Sequence, residues 1–199
     1  ISLRFDYLPE SASFTSVLLV SRKARLSRYA FGRDYHKLIR KRLQRLAKDL
    51  CQQTQDFGYR VFVDSAPVLE TSFAEKSGLG WKGKHTLTIN ENAGSWFFLG
   101  EIFIDLPLEV DKPVENKCGQ CTACINLCPT NAIVAPYKVD ARKCISYLTI
   151  ENDGAIPVEL RPAMGNRIYG CDDCQLACPW NRYANISQEK GFSAKNNLD

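Results

Sequence analysis

Eight of the nine cysteines fall into one spaced pattern. It runs Cys118-x2-Cys121-x2-Cys124-x3-Cys128-Pro129, then Cys144 alone, then Cys171-x2-Cys174-x3-Cys178-Pro179. Thiolates are soft ligands, suited to zinc, copper(I) or iron–sulfur clusters. The first run has the spacing of proteins that carry two [4Fe-4S] clusters, where the fourth cysteine binds the other cluster. The second run reads as the same pattern with its first cysteine moved upstream by an insert. Two ligand sets result: Cys118, Cys121, Cys124 and Cys178 for one cluster, and Cys128, Cys144, Cys171 and Cys174 for the other. Zinc and disulfides are the competing readings. A structural zinc site usually takes two separated CxxC pairs and has no use for four clustered sulfurs and a proline. Paired CxxC runs with no visible signal peptide point to metal rather than a secreted disulfide framework. Cys51 stands apart on a predicted helix, as a small buried hydrophobe.

A second group of residues could move protons. Asp64 sits where a predicted strand, Tyr59–Val63, meets a predicted helix that includes Pro67 and stops at Gly78. Strand ends are where α/β sheets bind ligands. The plainer reading is a helix cap by Asp64 or Ser65. A carboxylate there becomes a proton donor if burial raises its pKa. His36 and His85 are the only histidines. Each lies in a basic stretch, where a surface or core role is expected ahead of catalysis. The loop Gly78-Leu79-Gly80-Trp81-Lys82-Gly83-Lys84 imitates two phosphate-binding patterns and satisfies neither. His85 stands where a Walker-type loop needs Ser or Thr, and the GxGxxG follows a helix rather than a strand.

These residues need elements to position them. A buried strand is predicted at Ser16–Val20. Asp34 caps a long predicted helix reaching about Gln55, whose apolar positions recur at helical spacing. Thr86–Ile89 and Ser95–Ile104 read as two strands joined by a turn at Asn90–Gly94. The organisation is therefore α+β: an α/β domain over 1–105, a Pro/acidic linker over 106–117, a cluster module over 118–182 and a polar tail over 183–199. The chain opens at Ile1, inside what reads as mid-domain sequence, and is expected to lack both native ends. Net charge is +4, but residues 1–60 hold 13 Lys/Arg against 5 Asp/Glu. Within 22–48 the count is 11 basic residues to one acidic, Asp34. That density favours a polyanion partner such as nucleic acid over a merely solvated helix face. No apolar run approaches the length of a transmembrane helix, and thiolate clusters suit a reducing, cytoplasmic setting.

Several segments together resemble one family. They are Arg28–Lys37 (RYAFGRDYHK), Val63–Glu70 (VDSAPVLE), Gly78–Thr86 (GLGWKGKHT), Ser95–Ile102 (SWFFLGEI), Asp140–Glu151 (DARKCISYLTIE) and Gly165–Gln175 (GNRIYGCDDCQ). With Cys178-Pro179-Trp180-Asn181-Arg182 they look like epoxyqueuosine reductase. The resemblance implies a cobalamin-binding domain with a reductive-dehalogenase-like core, followed by a bacterial two-[4Fe-4S] ferredoxin-like domain. It implies reduction of epoxyqueuosine to queuosine at the tRNA wobble position, with the clusters feeding electrons to cobalamin. Asp64 occupies the family's proton-donor position. Lys84, Thr86 and Ser146, polar residues in family-like segments, are the expected cobalamin contacts. The implied partners are tRNA and an electron donor, with no membrane and a monomeric protein. Another cobalamin reductase, such as a reductive dehalogenase, and a plain electron carrier are the alternatives. The carrier would leave the first hundred residues unexplained.

Overall fold

The computed structural model describes residues 1–9 and 22–194. The strand expected at Ser16–Val20 lies outside them. Among the described residues the main sheet has three strands in the order β1 (Ser2–Asp6), β6 (Phe97–Ile104), β3 (Tyr59–Phe62). Both pairings are antiparallel, with Phe5 opposite Phe98 and Val61 opposite Ile102. Helix α1 (Tyr35–Gln53) lies across one face. Asp34 caps it as expected, accepting the His36 N–H at 3.0 Å.

The spacing of α1 decides which side is buried. Ile39, Leu43 and Ala47 recur every four residues and are wholly buried, the stripe a helix needs to dock on a sheet. Gly100 on β6 permits the close approach, since a Cβ there would stand 3.0 Å from Leu43 Cδ1 and 3.2 Å from Ile39 Cγ2. Lys37, Arg40, Lys41, Arg42, Arg45 and Lys48 are left exposed on the other side.

Two sequence expectations change. Asp64 does not cap the following helix: α2 spans Glu70–Lys76 with Leu69 at its N-cap. Pro67 and the tight turns around it delay the helix by about a turn. The strand expected at Thr86–Ile89 is shorter, β5 (Thr88–Ile89), and it pairs with β4 (Trp81–Lys82) rather than with β6. The glycine-rich segment therefore contributes a strand of its own. Asn90 and Gly94 do meet in a bridge, so the turn stands where expected.

The cluster module carries α3 (Ala123–Asn126), the hairpin β7 (Ile133–Ala135) with β8 (Lys138–Val139), α4 (Ile145–Ile150), α5 (Arg161–Met164), β9 (Arg167–Tyr169) and α6 (Asp173–Leu176). The insert between Cys144 and Cys171 forms its own small core from Ile145, Leu148 and Met164. The module is fused to the first half. Strand β2 (Arg25–Leu26) pairs parallel to β9. Gly170, at φ 69°, lets the chains approach where a Cβ would stand 2.5 Å from Ser27 Cβ. Residues 183–193, expected as a polar tail, fold back instead. Ser187 N–H bonds Leu8 O at 2.8 Å, Arg33 N–H bonds Gly191 O at 2.7 Å, and Phe192 enters the main core. Among the described residues no helix is long and apolar enough to cross a membrane.

One buried acid sets a pH dependence. Glu101 on β6 is 1% exposed, with Oε2 accepting from Ser2 Oγ at 2.7 Å and Oε1 unpartnered. Burial pushes its carboxyl up to about 7, and Glu70 adds to the rise. The fold thus favours the protonated form. The cost of ionising it is absent below about 4.5 and grows as pH rises towards 7. Glu101→Gln is expected to raise thermal stability at pH 8 by on the order of 2 kcal/mol, with a gain that shrinks as pH falls. Melting curves across pH check this, and a pH-independent gain would exclude the titration.

Candidate active site between the two halves

Cys118 and Cys121 sit on the loop entering α3, which itself carries Cys124. The structurally matching helix α6 carries Cys174, and the two helices contact each other. This contact crosses the two cysteine runs. Burial, with smaller contributions from Cys118, Cys124 and Cys121 and against a lowering bond from the Trp180 backbone, pushes the Cys178 thiol up to about 11. Cys174 is likewise raised by burial first, then by Cys144 and, more weakly, by Cys124 and Cys128. Cys171 is raised by burial and by Asp173, with Cys174 contributing. So Cys178 has the company of the first run, while Cys174 is influenced most by Cys144 among the cysteines and also stands near Cys124, Cys128 and Cys171. Among the described residues no group of three or more His, Cys, Asp or Glu converges to hold a single ion. A cubane cluster takes its thiolates at separate iron corners, so its ligands stand apart rather than meeting at a point. The mutual repulsion of buried thiolates is relieved by a cationic metal core, which binds them deprotonated.

A cleft of about 1020 Å³ opens between the halves. Cys128, Cys144, Cys171 and Cys174 all line it, and Cys118, Cys121, Cys124 and Cys178 do not. Thr86, Ser146 and Asp64 line it too. Thr86 has φ 74°, held in a turn by its N–H on Gly83 O at 2.8 Å. Ser146 stands in the first turn of α4. Lys84 is placed elsewhere. It is 9% exposed, and its Nζ donates to Gly119 O at 2.7 Å and Cys121 O at 2.9 Å. The basic residue of the glycine-rich loop therefore clamps the loop of the first cysteine run.

At the opposite wall stands a proton-bearing cluster. Asp64 lies two residues past the end of β3, in the left-handed region at φ 50°. Its carboxylate accepts from Tyr35 Oη and lies 3.2 Å from His36 Nε2. His36 Nδ1 lies 3.0 Å from Asp34 Oδ1. Tyr35 is stacked between His36 and Phe98, each ring centroid 4.0 Å away. Burial, and then the bond to Asp64, hold the Tyr35 phenol far above its usual pKa, so it stays a donor. The Asp64 side chain is 60% exposed, so the burial expected to favour a protonated carboxyl is not present; what the fold brings together at the cleft is a carboxylate, a phenol and an imidazole within hydrogen-bonding reach. The sequence alone put His36 in a surface or core role ahead of catalysis. Its one signal was its place two residues after a capping aspartate, and only folding brings the end of β3 over that helix terminus. His85 is a core residue, as expected: 3% exposed, its Nδ1 accepting the Leu87 N–H at 3.2 Å. Burial holds its pKa down to about 4, so the ring is neutral. Cys51 is half-buried on α1, with its thiol 3.9 Å from Phe57 O.

Residues 1–65 match the family model described as epoxyqueuosine reductase QueG, and residues 117–181 match one described as a 4Fe-4S double cluster binding domain. The chain is 61% identical over its whole length to epoxyqueuosine reductase of Aliivibrio fischeri, covering 53% of that protein. It is 60% identical to that of Escherichia coli, covering 52%. It thus spans about half the length of the curated relatives it matches. A crystal structure of an epoxyqueuosine reductase with an epoxyqueuosine-modified tRNA stem loop superposes with TM-score 0.86 at 32% identity, over 98% of this chain and 51% of that one. A Bacillus subtilis relative whose catalytic aspartate loop is swung out of the active site gives TM-score 0.85 at 31% identity, with the same coverage.

The clamp at Lys84 has a direct consequence. Lys84→Met removes both bonds to the first cysteine loop while keeping most of the side-chain volume. Iron retained after anaerobic reconstitution is expected to fall from ~8 towards ~4 per chain. Iron and sulfide analysis measures this, and a full complement in the variant would show the clamp to be dispensable.

Proposed function

The chain belongs to the epoxyqueuosine reductase family, and we propose that it forms the catalytic part of an enzyme reducing epoxyqueuosine to queuosine in tRNA. One observation carries this reading: the second cysteine set and Asp64 face the same large cleft. A plain electron carrier has no use for the acid cluster of Asp64, Tyr35 and His36.

Removing the epoxide oxygen as water consumes two electrons and two protons and leaves a carbon–carbon double bond. Cys118, Cys121, Cys124 and Cys178 would hold one [4Fe-4S] cluster, and Cys128, Cys144, Cys171 and Cys174 the other. Because only the second set lines the cleft, it holds the cluster from which electrons leave, and the first set holds the one at which they enter. The cleft is at the upper end of ligand-pocket volumes and mixes aromatic walls with Thr86 and Ser146, which fits a corrinoid. Cobalamin bound there supplies a strongly reducing cobalt centre, the part of the chemistry a protein side chain cannot provide. Thr86 and Ser146 would hold it, and Lys84 serves the neighbouring cluster loop. Asp64 protonates the departing oxygen, which is a poor leaving group as an alkoxide. Tyr35 orients the Asp64 carboxylate, and His36 returns a proton to it.

The solved relative holding a modified stem loop supports a tRNA partner. The exposed basic face of α1 is the surface we assign to its phosphates, which position the nucleic acid without specifying its sequence. The modified nucleoside leaves the anticodon stack to enter the cleft, as other base-modifying enzymes require.

Two experiments test this. Asp64→Asn keeps size and shape but releases no proton. Single-turnover conversion of epoxyqueuosine tRNA is expected to drop by about 100-fold or more, with iron content unchanged. Near wild-type turnover would remove Asp64 from the acid role. Separately, reversing Arg40, Lys41 and Arg45 to Glu is expected to weaken tRNA binding and flatten its dependence on salt, because fewer counterions are released. An unchanged slope would make these charges a solvated helix face.

A further inference from the structure

The loop from Asp64 to Leu69 is held by few bonds. Asp64 has φ 50°, a left-handed conformation that Asp adopts more readily than most residues with a Cβ, though still at some cost that the surroundings must offset. Within the loop the backbone makes two narrow turns, Ser65 N–H to Val63 O at 2.6 Å and Val68 N–H to Ala66 O at 2.7 Å. Neither ties the loop to the body of the protein. Apart from the Asp64 side-chain contacts with Tyr35 and His36, the bond that ties the loop backbone down comes from Glu70: its Oε1 accepts the Asp64 N–H at 2.7 Å. Glu70 begins α2, which packs on β6 and β1, so its carboxylate is anchored by the sheet.

We propose that Glu70 is the positioning residue for Asp64: by accepting the Asp64 amide hydrogen it latches the 64–69 loop, with the Asp64 carboxylate turned onto Tyr35 and His36 at the cleft wall. The geometry explains why a carboxylate stands at a site that disfavours it. Burial raises the pKa of Glu70, Asp64 adds repulsion, and the bond to the Asp64 N–H is the leading opposing influence. The latch also gives this chain a means of holding in place the kind of loop that is swung out in the Bacillus subtilis relative. Opening the latch would free the Asp64 amide, release the left-handed backbone and carry the carboxylate away from its two partners.

This inference rests on Asp64 as the proton donor, and the test keeps the two apart. Glu70→Gln, Glu70→Asp and Glu70→Ala are made in the intact enzyme beside Asp64→Asn. Amide hydrogen exchange of the peptide spanning 63–69 reads the loop directly and needs no activity. Single-turnover rate and apparent KM for tRNA read the chemistry. In Glu70→Ala, and in Glu70→Asp where the shorter side chain falls short of the amide, exchange is expected to rise about 10-fold. Their turnover is expected to fall about 10-fold, with KM and iron content within about twofold of wild type. Glu70→Gln keeps the acceptor oxygen and is expected to restore both readings. Unchanged exchange in Glu70→Ala overturns the latch. So does a Glu70→Gln as impaired as Glu70→Ala, since charge rather than the bond would then matter. If exchange rises and turnover does not fall while Asp64→Asn is inactive, the positioning role is overturned and the acid role stands. If Asp64→Asn is also active, the acid role itself fails. Should Glu70→Ala lose its iron, the comparison of Glu70→Asp with Glu70→Gln decides.

Discussion

Asp172 is a carboxylate 1% exposed, lying between Cys171 and Cys174 in the chain, and its partners all belong to the other half of the molecule. Ser27 Oγ donates to Oδ1, while the Arg28 N–H and Arg28 Nη1 donate to Oδ2 at 3.0 and 3.1 Å. A buried charge stripped of such partners is costly, several kcal/mol for one left alone. The loop bearing two cluster cysteines therefore cannot leave the 25–28 segment without exposing or stranding that charge. Asp173 reinforces the joint. Arg167 grips it through two bonds of 2.7 Å, and Arg25 lies 3.5 Å away. The parallel pairing of β2 with β9 and the close approach at Gly170 follow from the same docking. Two halves that could have been separate modules become one body with a cleft at the seam.

The cleft divides its labour by wall. On the module side stand the half-buried thiols of Cys128, Cys144, Cys171 and Cys174, whose softness suits iron. On the sheet side stand an acid, a phenol and an imidazole, fixed by the N-terminus of α1 and the end of β3. One space is thus lined both by the second cysteine set and by the Asp64, Tyr35 and His36 cluster. The second docking point keeps that space in register. Asn181, just beyond the last cysteine, accepts the Ser95 N–H at 2.6 Å, and Gln175 donates to Ser95 O at 2.9 Å. Both bonds reach the segment that leads into β6, the strand against which Tyr35 stacks through Phe98.

Much of this was legible in the residues alone. The cysteine spacing identifies the cluster module because ligand geometry is local: three sulfurs on one short loop need only a few residues to reach one cluster. The capped helix α1 is legible for a similar reason. Its cap and its four-residue apolar spacing are properties of consecutive residues. Asp64 is legible from its position and its family-like setting, and the plainer alternative, a helix cap by Asp64 or Ser65, does not form, since the helix begins after Leu69.

Tertiary structure decided what depends on distant segments meeting. The partnership of Asp64 with Tyr35 and His36 joins residues 28 and 29 positions apart, and no local pattern encodes it. Lys84 was expected as a cofactor contact from its polar character within a family-like segment, and only the fold aims it at carbonyls 35 and 37 residues away. The pairing of β5 with β4 and the return of Phe192 to the core have the same origin. Local sequence sets which conformations and which ligands a segment can offer. Which face of the molecule each is offered to is set by burial and charge pairing across the whole chain, and those terms are summed only when the halves dock.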